Sequence, residues 1–212
     1  MARLARLPTL AWALLRENKR AYIVFNILYY GLILVFMGVA ALNPGLQVEL
    51  IRTSTESVTS GPLAMVGESY INAKMLKAMA LTFVVNLVIG SLAFMTFPSM
   101  IVPFLGILSG VYRAIMWGLI FYPGHPDMGI GMIPHSLTLI VEGQAYILVM
   151  LAAWLHGRDF LFPKSAGAYG HWHGYVEGLK QTGLIYVLVV LILLAAAVYE
   201  DIEVILMARL TG

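Results

Sequence analysis

The chain has no cysteine and few charges, and each shortage excludes something. With zero cysteines among 212 residues, neither a disulfide nor a thiolate metal site can form, and the redox compartment leaves no mark. Asp, Glu, Lys and Arg make up 11% of the chain, where soluble domains carry roughly a quarter. The net charge of +2 gives no case for nucleic acid. Signatures of hydrolytic or ATP-using sites are missing too: there is no Walker loop, no GxSxG and no HExxH. No catalytic residue, cofactor or metal is expected, so the reading is non-enzymatic.

What fills the chain is apolar. Hydrophobic residues are 60% of the total and the mean hydropathy is +0.86, the balance of an integral membrane protein. The expected fold class is all-α: a polytopic membrane helix bundle forming one domain over 1–212. Crossing the hydrocarbon takes about 20 mostly apolar residues, and five segments supply them: 21–42, 78–97, 100–122, 133–156 and 182–200. Pro98 and Pro103 interrupt the apolar run between the second and third, so a tight hairpin is predicted there.

Three segments read as interfacial. In the arm 1–20, Leu4, Leu7, Ala11, Leu14 and Leu15 share a face beside arginines, and no small-residue cleavage site follows, so the arm reads as retained. Residues 46–77 suggest a pair of short helices on the outer face, broken at Gly61–Pro62. Residues 165–180, rich in glycine and aromatics, suit headgroup depth. Lys and Arg set the orientation. The N-terminal arm and the 157–181 connection carry eight basic residues, and Arg52, Lys74, Lys77 and Arg209 fall on the other side. A cytoplasmic N-terminus and an outer C-terminus in the cell membrane are expected.

A charge at mid-bilayer costs at least about 3 kcal/mol, so an intramembrane charge faces protein or water and has a partner. His135 and Glu142 lie seven apart, on one helical face, but about 10 Å apart along the axis at 1.5 Å per residue. Each needs a partner on another helix. Asn26, Asn86, Arg113 and Glu200 are the candidates, and an Arg113–Glu142 pair would neutralise two costly charges at once. The expected polar cluster is therefore Asn86, Arg113, His135, Glu142 and Glu200. Interhelical glue is its leading reading, and an ion or proton path its rival.

Gly106 and Gly110 have the small-xxx-small spacing that lets helices approach closely. Asn86 with Gly90, and Gly31 with Gly38, also share faces. His171, His173 and Glu177 pose a metal question, but a Gly-rich segment with tryptophan reads better as an interfacial anchor.

The order of these features carries a resemblance. An Asn-bearing span (Asn86) is followed by "FLGILSGVYRAIMWG", then "PHSLTLIVEGQAYI" with Pro134, His135 and Glu142, then "LHGRDFLFP", and a last span ending in "AAAVYEDIE". Over roughly residues 78–203 this resembles the stage II sporulation protein M family of bacterial and archaeal membrane proteins. Ser136 stands where that family commonly has glycine, two prolines interrupt the second-to-third span region, and Arg113 has no secure counterpart. The resemblance implies a polytopic membrane protein. The family's namesake works in a septal complex that remodels peptidoglycan during engulfment, and other members have no settled role. The function expected is that of a scaffold or subunit docking other membrane proteins or copies of itself in the lipid bilayer. The alternative is a small transporter or channel with a polar path through Glu142 and His135. A weaker option is a permease-like half that needs a separate ATPase.

Overall fold

A computed structural model describes residues 6–60, 64–65, 68, 75–124 and 132–211, with backbone alone at 58–59, 132–133, 165–166 and 204–211. It is all-helical, with no strand among the described residues. Helix α1 (Leu7–Glu17) opens with proline in its first turn, where a missing N–H costs nothing. It buries Ala11 and Leu15 and leaves Leu10 and Trp12 exposed, the amphipathic pattern expected of the arm. Asn18 ends it, its Nδ2 donating to the Leu14 carbonyl at 2.9 Å. Helix α2 (Lys19–Leu42) follows directly. Helix α3 (Pro44–Thr59) again begins with proline. On its exposed face Arg52 sits between Glu49 at 2.5 Å and Glu56 at 2.7 Å, which holds the Glu49 carboxyl below its ordinary range. The second helix expected around Gly61–Pro62 falls largely on 61–63, 66–67 and 69–74, outside the described residues.

Helix α4 runs unbroken over Met75–Ile101, with a π-helical stretch at Val85–Thr96. Here the sequence reading needs correction: Pro98 does not end the span. The amide of Phe97 bonds back to the Leu92 carbonyl, and this widened i→i−5 pattern accommodates a residue that lacks its own N–H. The hairpin comes later, where Val102 is extended and Phe104 takes a left-handed φ of 68°. Such a conformation is costly for a bulky residue. The Phe104 ring packs over Gly157, where a Cβ would lie 2.7 Å from Cε1, and this contact offsets the cost.

Helix α5 (Leu105–Ile120) carries the small residues. The Cβ position of Gly106 is 2.7 Å from the Met95 carbonyl oxygen, and that of Gly110 is 2.5 Å from Met150 Sδ. Both glycines sit at close contacts between α5 and its neighbours. The ridge continues through Ala114 to Gly118, whose Cβ position is 2.6 Å from the Ile33 carbonyl of α2. Gly31 and Gly38 meet no neighbour within 4 Å.

Helix α6 (Met132–Leu161) is the axis of the molecule. In its most apolar window 72% of residues are buried, against 22–33% in the other long apolar helices. The last helix, α7 (His171–Thr211), has 41 residues. It absorbs most of the segment 165–180 that the sequence suggested would lie along the interface, so the final span 182–200 is the middle of a longer rod.

Among the described residues, four helices are long and apolar enough to cross a membrane: Lys19–Leu42, Met75–Ile101, Pro134–Leu161 and His171–Glu203. The remaining expected span, 100–122, contains the 16-residue α5. At about 24 Å, that helix is shorter than the hydrocarbon core of about 30 Å.

Candidate functional site

The burial of α6 explains why its polar side chains are tolerated: they face other helices. Three polar groups sit along it. Nearest its middle, Gln144 ties α6 to α2. The Tyr22 hydroxyl donates to its Oε1, and its Nε2 donates to Asn26 Oδ1 and to the Tyr30 hydroxyl, both at 2.9 Å. Tyr30 in turn donates to the Ile140 carbonyl at 2.7 Å. Every polar atom of Gln144 is used, and the group works as interhelical glue.

At the end of α6 near the N-terminal arm, Asp159 is fully buried. Its oxygens accept from Arg158 Nε at 2.7 Å and from Gln181 Nε2 of α7 at 2.8 Å. Arg158 also reaches Asn18 Oδ1 at 3.3 Å, and His156 packs edge-on against Tyr175 at 4.5 Å.

The third group surrounds Glu142, and it encloses space. A cavity of about 230 Å³ is lined by Asn86, Arg113, His135, Glu142 and Glu200, with Trp117 and Phe121 as aromatic walls. All five residues expected from the sequence therefore converge on one cavity, from four different helices. Glu142 lies eight residues, about 12 Å, along α6 from Pro134, and Arg113 lies seven, about 10 Å, from Ile120. The charges sit at matching depths, a third of the way into the bundle.

Their pairing differs from the expectation. Arg113 and Glu142 make no direct ion pair, because Tyr146 stands between them. Its hydroxyl is 2.8 Å from Glu142 Oε1 and 3.1 Å from Asn86 Oδ1, and the guanidinium lies over its ring, 3.9 Å from the centroid. Asn86 also hydrogen-bonds the Glu142 carboxyl, and the charge of Arg113 still acts on it. Tyr146 was missed in the sequence, although its i+4 spacing from Glu142 placed it on the same face.

At the mouth, His135 Nδ1 is 3.1 Å from Glu203 Oε1, and Thr138 Oγ1 donates to Glu203 Oε2 at 2.7 Å. The sequence reading chose Glu200 as the acid of the last helix. Glu200 does line the cavity, but the acid that holds His135 is Glu203, one turn further along the same face. Gln47 of α3 closes the same end of the bundle, donating to the carbonyls of Ile120 at 3.0 Å and Tyr122 at 2.8 Å. These are carbonyls that the end of α5 leaves without helical partners.

Along α6 the described lining of the cavity runs from His135 to Glu142. Beyond Tyr146, residues Ile147 to Ala152 of α6 are essentially fully buried and apolar. The polar pair at that level, Thr96 and Tyr186, is spent on itself at 2.6 Å.

The histidines that raised the metal question are engaged otherwise. His171 Nδ1 is 2.7 Å from the Phe160 carbonyl oxygen, Glu177 pairs with Lys180 at 2.9 Å, and no group of three potential ligands occurs among the described residues. Trp172 stacks on Tyr175 at 5.5 Å and stays largely exposed, the habit of an interfacial anchor.

Compared with protein-family models, curated proteins and solved structures, the chain matches none.

Proposed function

We propose that the chain is a non-enzymatic, five-span protein of the cell membrane that serves as a scaffold or subunit of a membrane complex, resembling the stage II sporulation protein M family. The partners are other membrane proteins or further copies of the chain. In this reading the short α5 is the third span, accommodated by local thinning of the bilayer. Asn86, Arg113, His135, Glu142 and Glu200 fix the helices that a partner reads. The supporting observation is how the polar cluster ends: six consecutive buried apolar residues of α6, Ile147 to Ala152, close it off from the opposite face. Such a plug suits a tie between helices better than a pore.

The test is paired. Cross-linking and co-purification from native membranes should recover a partner in fixed stoichiometry. Reconstituted protein should pass protons and small ions no faster than empty liposomes. Flux that disappears in a folded Glu142→Gln variant would replace the scaffold with a transporter. That second reading has one observation in its favour, the cavity itself, which would be one access state of a carrier.

The proposed topology places the N-terminus in the cytoplasm and the C-terminus outside, on the eight-to-four asymmetry of basic residues. A chain without cysteine gives a clean background for labelling. Cysteine at exposed Ser60 should react with an impermeant maleimide on intact cells. Cysteine at Tyr169, which is 98% exposed, should react only after permeabilisation. The reverse pattern at both positions would invert the topology.

A further inference from the structure

Arg113 does more than face the cavity. Its guanidinium has five N–H donors, yet it meets ring faces instead of acceptors: Tyr146 at 3.9 Å and Trp117 at 5.9 Å. Among the described residues, its buried Nε has no hydrogen-bond partner. Glu142 acts on it electrostatically but lies beyond the Tyr146 hydroxyl. The buried carboxylates of α6, Glu142 and Asp159, are bonded directly, whereas Nε of Arg113 on α5 finds no acceptor among the described residues.

The geometry shows where that acceptor would come from. Nη2 points to Gly90, whose Cβ position would be 2.9 Å away. Gly90 does not line the cavity around Glu142. It lines a second, larger hollow of about 480 Å³ on the outside of the bundle, with Arg113 at its floor and Ile89, Phe94, Tyr112 and Met116 as walls. Ile89, Phe94 and Tyr112 are 52%, 41% and 55% exposed, so the groove is open to lipid. Ser54 of α3 stands at its rim. Gly90 is itself buried, and a side chain there would crowd both Nη2 and the Tyr146 hydroxyl, 2.9 and 3.0 Å from its Cβ position; access to the guanidinium is from the groove that Arg113 itself lines.

We propose that this groove holds one anionic phospholipid of the surrounding bilayer, its phosphate on the Arg113 guanidinium and an acyl chain along Ile89, Phe94 and Met116. Charge complementarity selects the head, because a phosphate offers the paired acceptors a guanidinium fits. Depth is no obstacle. Arg113 is about 10 Å from the end of α5, a helix too short for an unthinned bilayer, so thinning of the bilayer around it brings headgroups toward that level. The site stands whether the protein is a scaffold or a carrier.

The test uses the full chain, delipidated in detergent, with phosphatidylglycerol, phosphatidylcholine of the same acyl chains, and oleate as probes. Lipid retention is read by native mass spectrometry and thermal unfolding. One phosphatidylglycerol per chain should be retained, about tenfold more strongly than phosphatidylcholine, as loss of one charge-assisted contact implies. Arg113→Gln should abolish the preference and Arg113→Lys should keep part of it. Ile89→Trp, which fills the groove without touching the guanidinium, should lower retention of phosphatidylglycerol and leave the unliganded midpoint unchanged; it carries the test if Arg113→Gln does not fold. Equal retention of the two phospholipids, or retention of phosphatidylglycerol unaffected by Ile89→Trp, would overturn the proposal. Oleate binding at Arg113 with phosphatidylglycerol excluded would overturn it as well, by assigning the groove to a fatty acid.

Discussion

Leucine at position 106 is expected to abolish recovery of folded protein from detergent extracts, with monodispersity on size exclusion as the measurement. The Cβ alone would sit 2.7 Å from the Met95 carbonyl and 3.0 Å from Ala153 Cβ. The first of these is backbone of a neighbouring helix, which cannot swing aside. Overpacking in a core that can adjust costs about 1–3 kcal/mol, and here three further carbons enter a contact already closed to one. Gly110→Leu should be nearly as damaging, although its nearest neighbour is the flexible Met150 side chain. Leu108→Ile, on the lipid-exposed face of the same helix, should behave as wild type. Equal recovery of Gly106→Leu and Leu108→Ile would mean that α5 does not pack through its glycine ridge.

Glu142 gives the second large effect, and the direction depends on the replacement. Leucine removes the acceptor shared by Tyr146 and Asn86 and the counter-charge felt by Arg113. A buried polar group left without a partner costs about 1–3 kcal/mol, and breaking a buried charge interaction about 3–5 kcal/mol. Glu142→Leu should therefore lower the unfolding midpoint sharply. Glutamine should not. Its amide can donate to the Tyr146 oxygen while Tyr146 donates to Asn86, so the triangle closes with one proton for each acceptor. The scaffold reading expects Glu142→Gln to keep both fold and partner. A leucine variant as stable as the glutamine variant would show that the triangle contributes nothing.

Much of this site was legible before any coordinates. Span positions came from apolar length, and the one-face spacing of His135 and Glu142 forced a search for partners on other helices. That search named Asn26, Asn86, Arg113 and Glu200; the last three line one cavity, whereas Asn26 is bonded to Gln144 instead. Spacing fixes a residue's face and depth, but not what stands between two residues. The inserted Tyr146 ring therefore stayed invisible, and a direct Arg113–Glu142 pair was expected. The same limit separates Glu200 from Glu203: both lie on one face of α7, and only the rotation of that helix against α6 chooses between them. Pro98 misled for another reason. Proline rules assume i→i−4 bonding, and the π-helical stretch before it changes the rule locally. The glycine ridge was half read. Gly106 and Gly110 stood out as a motif, whereas Gly118 continues the same four-residue interval beyond Ala114, and the alanine hides it.

The length of α7 has a mechanical consequence. Its 41 residues extend about 62 Å, roughly twice the hydrocarbon thickness, without a break. Near one end Gly174 and Gly178 rest directly on backbone of α6, at the Asp159 carbonyl and the His156 Cα. Near the other end Glu203 holds His135 and Thr138 at the cavity mouth. Between these ends Ile185, Val189, Leu193, Ala196 and Ala197 are buried in the bundle. The helix is a brace fastened along its length, and it fixes the spacing between the two ends of α6.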